Sequence, residues 1–159
     1  MKKIILSILC SSIFIATSCV DSLDDYNFSQ KEAAVVPSET LFTSAVKNLT
    51  DALTSASVNS NNYRFYVQHW TATTYLDEPR YNMTSRIIPQ NMWQSLYRDV
   101  LADLKESKRL VMENTATIES VKNNQLAQIE IMEVYAWSVL LNTFGDVPYS
   151  EALDPENSL

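Results

Sequence analysis

Residues 118–145 read IESVKNNQLAQIEIMEVYAWSVLLNTFG, and this stretch decides the fold class. Val121, Ile129, Met132, Tyr135, Ala136, Val139, Leu140 and Phe144 recur at helical spacing, which predicts one amphipathic helix over 118–144. At 1.5 Å per residue it would be roughly 40 Å long. Gly145 stands where a left-handed C-cap is expected, and Pro148 follows three residues later. Gly145 is also the one glycine in 159 residues. An all-β domain needs many tight turns, and glycine is their usual residue at positive φ, so the composition speaks for helices.

Upstream, Met92, Trp93, Leu96, Tyr97, Val100, Leu101, Leu104 and Val111 form a second apolar face. Asn91 with Gln94 three residues later resembles a capping box, so this helix is expected to start near Asn91. Ile88 precedes Pro89 and is expected to be extended. A loop of residues 76–88, broken by Pro79, separates this helix from a shorter one expected over 63–75. Thr71, Thr73 and Thr74 weaken that shorter helix, because β-branched residues also suit a strand. The first helix is expected to begin at Ser38 as N-cap, with Glu39 in its first turn, and to end before Asn59. Its face holds Leu41, Phe42, Ala45, Val46, Leu49, Ala52, Leu53 and Ala56. Four helices in two antiparallel pairs give an all-α fold, analogous to solenoids of tetratricopeptide-like helix pairs.

The first 18 residues read as a leader rather than as fold. Lys2 and Lys3 precede a short apolar stretch, and Ala16-Thr17-Ser18 leads to Cys19. This is the layout of a secretory signal peptide, and small residues directly before a cysteine mark a bacterial lipoprotein. Cys19 is therefore the expected lipidation site, and two or three acyl chains give stable anchoring where one does not. The expected organisation is a signal peptide over 1–18, an acidic tether over 19–37 and a helical part over 38–159. Asp21, Asp24 and Asp25 lie just after the cysteine. They read as a solvated tether or as a surface-sorting signal. Cys10 lies within the leader, so the mature chain keeps one cysteine, and that one carries lipid. An intrachain disulfide, a thiol catalyst and a cysteine metal site are thereby excluded.

The net charge is −7, and removal of Lys2 and Lys3 makes it more negative. This balance argues against nucleic acid as a partner. His69 is the single histidine and has no His or Cys partner for a zinc site, so no metal and no cofactor are expected. Glu130 with Glu133, and Asp77 with Glu78, are the carboxylate pairs a glycosidase reading would use, but the first is ordinary helix-surface chemistry. Asp146 and Glu151 are expected to brace the loop after the last helix. No enzyme is expected.

Several stretches resemble the SusD/RagB family, in its SusD-like nutrient-binding branch. They are Gln68-His69-Trp70-Thr71-Ala72-Thr73-Thr74-Tyr75, Glu78-Pro79-Arg80-Tyr81, Thr84-Ser85-Arg86-Ile87-Ile88-Pro89 and Trp93-Gln94-Ser95-Leu96-Tyr97-Arg98-Asp99-Val100-Leu101. The most specific is Phe144-Gly145-Asp146-Val147-Pro148-Tyr149-Ser150-Glu151-Ala152-Leu153. The resemblance implies a lipid-anchored outer-membrane protein of Bacteroidota, exposed at the cell surface. Such proteins bind a glycan or peptide and deliver it to a SusC-like TonB-dependent transporter. It also implies that the chain is the N-terminal portion of a longer, here truncated, solenoid, with apolar surface left exposed towards its C-terminal end.

Sugar rings stack on aromatic side chains, and tyrosine adds a hydroxyl handle. Tyr75 and Tyr81, beside the long loop with Arg80 and Arg86, are the first candidates for ligand contact, and Trp70 is a further one that also suits core packing. Trp93 and Tyr97 lie on a strong helical stripe and are expected in the core. The alternative to nutrient binding is a helical scaffold that contacts a partner protein and holds no small ligand of its own.

Overall fold

The computed structural model describes residues 35–59 and 61–154. The leader, Cys19 and the tether up to residue 34 lie outside the described residues. Among the described residues every regular element is helical, and no strand occurs.

Helix α1 runs Ser38–Thr54. Its N-cap is Pro37 rather than Ser38, because the Pro37 carbonyl accepts from the Thr40 and Leu41 amides at 3.1 and 3.4 Å. Helix α2 is a single turn, Tyr63–Tyr66, and not the longer helix that the aromatic spacing predicts. The chain leaves it through a Schellman turn. The His69 amide donates to the Arg64 carbonyl (2.9 Å), the Gln68 amide donates to the Phe65 carbonyl (3.0 Å), and Gln68 takes φ 58°. A 3-10 turn, Glu78–Arg80, ends the same way: Asn82 donates to Asp77 O, Tyr81 donates to Glu78 O, and Tyr81 takes φ 59°.

Helix α3 spans residues 88–113 in three parts: α-helical Ile88–Gln94, a π-helical Ser95–Leu101 and α-helical Ala102–Glu113. It starts at Ile88, three residues before the expected cap. Pro89 lies in the first turn, where its missing N–H costs nothing and its fixed φ favours the helix. The Asn91–Gln94 pair thus lies inside the helix and caps nothing. The π segment buries both Leu96 and Leu101, five residues apart, which a regular α-helix would turn to different faces. The Asn48 side-chain amide of α1 donates to the Asp99 carbonyl of this segment at 3.2 Å.

Helix α4 runs Glu119–Phe144. Contacts along its length fix its direction against α3: Lys122 Nζ donates to Met112 O, Lys108 pairs with Glu130 and Glu133, and Trp93 meets Phe144. On the other side, Ser107 Oγ donates to Ser38 O, and Asn48 reaches Asp99, so α1 is also antiparallel to α3. With α2 so short, α3 serves as partner to both long helices. The core between them holds Ala45 and Leu49 of α1, Leu96, Val100, Leu101, Leu104 and Val111 of α3, and Ile129, Ala136 and Leu140 of α4. Each fully buried leucine contributes on the order of 1.5–3 kcal/mol.

Two residues assigned to the inner face of α4, Val121 and Tyr135, are exposed. Ile131, Val134 and Leu141 are exposed as well, so α4 carries a second apolar stripe that none of the described residues buries.

After α4, Gly145 adopts φ 78°, ψ −130° and its amide donates to Leu141 O. The φ is positive, as a glycine cap implies, but ψ lies outside the left-handed helical region. The following loop is held by Tyr97 Oη donating to Pro148 O (2.6 Å) and Lys105 Nζ donating to Leu153 O (2.7 Å). Asp146 and Glu151, expected to brace it, make no side-chain hydrogen bond among the described residues. Trp93 and Tyr97 are half-buried links in a chain of ring contacts, Phe144–Trp93–Tyr97–Trp137–Tyr149, with centroids 4.8–5.4 Å apart.

Candidate functional site

The segment between α1 and α3 folds around a cleft of about 610 Å³. Val58 and Asn59 come from the turn after α1, and Phe65 comes from α2. Thr71, Ala72, Thr73, Thr74 and Tyr75 form one wall, and Glu78 and Arg86 another. The two Schellman turns build this site. Each has a residue in the left-handed region, Gln68 and Tyr81, and the threonine-rich wall lies between them in the chain. The hydroxyls of Thr71, Thr73 and Thr74 make no hydrogen bond among the described residues, so they are available to a ligand.

Tyr75 lines the cleft and is 74% exposed. A large aromatic ring in that position is a stacking surface. Arg86 also lines the cleft, but its fork is engaged. Nη1 donates to Glu78 Oε1 at 2.7 Å, and Nη2 donates to Asn59 Oδ1. Tyr81 and Arg80 are exposed, on and beside the 3-10 turn, and do not line the cleft. Trp70 is half-exposed rather than in the core. Its ring lies under the Arg64 guanidinium, 4.6 Å from the centroid, and meets Phe65 edge-on at 6.1 Å. Arg64 thus covers one face of Trp70 by a cation–π contact. The structure therefore brings Tyr75 and Arg86 into the lining of one cleft and leaves Trp70, Arg80 and Tyr81 outside it.

Glu78, which the sequence offers only as half of a carboxylate pair with Asp77, is a buried part of the cleft wall. Its side chain is only 4% exposed, although it follows Asp77 in a loop and reads as surface. The signal lies in an ion pair across eight residues, and no helical or strand period announces such a pair. Tyr66, on α2 and within electrostatic reach of Glu78, accepts from the Asn62 side-chain amide at 2.6 Å. Burial raises its pKa above the ordinary tyrosine range, and the nearby Glu78 charge raises it further.

The other carboxylate candidates are engaged elsewhere. Glu130 and Glu133 both pair with Lys108, at 3.1 and 3.3 Å, and Asp77 accepts from Asn82 at 3.0 Å. No group of three metal-ligating side chains gathers among the described residues. A second hollow of about 430 Å³ lies between α1 and the start of α3, lined by Asn48, Asp51, Ala52, Ser55, Asn91, Met92 and Ser95, and it offers no aromatic surface.

No curated protein and no solved structure matches the chain. A family profile described as "Starch-binding associating with outer membrane" matches residues 29–159, which is most of the chain and includes every element described above. The chain belongs to the SusD-like family of starch-binding proteins that associate with the outer membrane.

Proposed function

We propose that this chain binds a glycan in the cleft between α1 and α3 and hands it to a SusC-like TonB-dependent transporter. The observation that carries the reading is the exposed Tyr75 ring set against three unengaged threonine hydroxyls in a cleft of about 610 Å³. Apolar surface joined to a few convergent polar groups is the usual composition of a small-molecule site. The family supplies the ligand class, starch-like glycan, and the outer-membrane setting. A peptide is the other ligand that the family resemblance allows, and it would use the same cleft. Tyr81, Arg80 and Trp70 flank the opening in sequence and are assigned to the outer edge of the site.

In this account Cys19 carries the lipid that anchors the chain in the outer membrane, facing the cell exterior, after removal of residues 1–18. No described helix is long and apolar enough to cross a membrane. Residues 19–37 then act as a tether for the helical part. The chain acts by binding and catalyses nothing.

The exposed stripe on α4 favours a second reading, a scaffold that contacts a partner protein through Ile131, Val134 and Leu141. Titration with maltoheptaose separates the two. Binding that is lost in Tyr75→Ala, with the fold intact, supports glycan capture. Absence of binding in the parent chain shifts the assignment to the scaffold.

A further inference from the structure

We infer that Glu78 is the residue by which this cleft recognises hydroxyl groups of a neutral saccharide, and that it sets the selectivity of the cleft against anionic sugars. The inference rests on the glycan-binding reading above. Glu78 lines the cleft with its side chain almost wholly buried. One carboxylate oxygen, Oε1, accepts from Arg86 Nη1 at 2.7 Å. The other, Oε2, accepts from no group among the described residues. Yet no buried side-chain nitrogen or oxygen among them lacks a partner. Oε2 therefore reaches open space, and the space that Glu78 borders is the cleft.

An ionised carboxylate only accepts hydrogen bonds, so its ligand must bring a donor. The Arg86 ion pair cancels most of the net charge and so weakens the attraction for a cationic ligand, but it leaves Oε2 as the negative end of the pair facing the cleft. Nη1 and Nη2 of Arg86 each already hold an acceptor, Glu78 and Asn59, so an anion in the cleft would have to compete with both for the guanidinium. A carboxylate or sulfate on the ligand would face Oε2 and be repelled. The neutral hydroxyls of a saccharide are donors of the required kind, and the free hydroxyls of Thr71, Thr73 and Thr74 can serve neighbouring positions on the same ring, which a glycan offers and an isolated amide does not. A buried ion pair contributes little to stability by itself. Its place in a binding wall accounts for it better: Arg86 holds the carboxylate in one orientation, and the carboxylate meets the ligand.

The test uses the whole purified chain, with maltoheptaose as the neutral probe and trigalacturonic acid as the anionic one. The variants are Glu78→Gln, Glu78→Asp and Tyr75→Ala. Gln keeps an acceptor for Arg86 but presents an amide where Oε2 stood. Maltoheptaose affinity is expected to fall about tenfold or more in Glu78→Gln, the size of a lost hydrogen bond to a charged group. The preference for maltoheptaose over trigalacturonate is expected to shrink at the same time through retained or stronger trigalacturonate binding, which loss of fold alone would not produce. If Glu78→Gln does not fold, Glu78→Asp carries the test, since it keeps the charge and withdraws the acceptor by one methylene. Affinity and selectivity unchanged in the folded Glu78 variants, with binding still lost in Tyr75→Ala, would overturn the role of Glu78 and leave the glycan site standing. Equal binding of both probes by the parent chain would overturn the selectivity. No binding of either probe would remove the glycan reading and this inference together.

Discussion

Gly145→Ala should destabilise the chain although it removes no contact and creates no clash. The residue ends α4 at φ 78°, ψ −130°, a region that L residues avoid because of their Cβ. A Cβ built on Gly145 would meet no heavy atom within 4 Å, so packing neither adds to the cost nor relieves it. Holding a non-glycine residue in such a region costs about 1–3 kcal/mol. Alanine also restricts the unfolded chain, which returns about 0.4–1 kcal/mol. The net expectation is a loss on the order of 1–2 kcal/mol. For a chain of this size that lowers Tm by about 2–8 °C. The backbone at 145 also directs the loop that brings Pro148 O to Tyr97 and Tyr149 to Trp137. A variant that relaxes its strain by moving this loop should therefore show altered tryptophan fluorescence. Urea and thermal unfolding followed by circular dichroism measure the loss. An alanine variant as stable as the parent would refute the argument, since it would show that residue 145 does not hold this conformation in solution.

Three further outcomes follow from the same physics. Gln68→Gly relieves a left-handed residue in the turn after α2 and is expected to stabilise the chain by up to about 1 kcal/mol, the opposite sign to Gly145→Ala; destabilisation in urea unfolding would count against the Schellman turn. Leu140→Ala empties a fully buried position between α3 and α4 and should cost about 2–5 kcal/mol, read as a lower urea midpoint with unchanged slope. In alkali, Tyr66 and Tyr97 should both titrate later than free tyrosine, Tyr66 through burial and then the Glu78 charge, Tyr97 through burial. A raised folded pKa means that this contribution to stability is complete below the ordinary tyrosine pKa of 10.0 and is lost as pH rises through the folded values. Tyrosinate absorbance that rises as for free tyrosine, with a melting temperature flat across that range, would contradict it.

Helices α1 and α4 were legible because their apolar spacing runs over many turns, and a long period survives local errors. The end of α2 was not, because Gln68 is an unlikely residue for positive φ and the aromatic spacing continues past it. The start of α3 was misplaced because Asn91 and Gln94 imitate a cap, while Pro89 sets the true first turn. The π segment has no local signature in Ser95–Leu101. It is seen only once Leu96 and Leu101 are both buried and Asn48 of another helix holds the Asp99 carbonyl. The exposed stripe of α4 is not legible from the period alone, which puts Tyr135 inside although it is exposed beside Ile131 and Val134. In the cleft, Tyr75 and Arg86 were singled out from residue type and loop position. Glu78 is visible in the sequence only as a neighbour of Asp77, because burial of a loop carboxylate depends on a partner eight residues away.

The measurement closest to the central claim is calorimetric titration of the purified chain with maltoheptaose, beside Tyr75→Ala. The account predicts saturable binding by the parent chain and its loss in the variant, with both proteins melting alike. No heat of binding in the parent, or the same affinity in a folded Tyr75→Ala, would contradict a glycan site in this cleft.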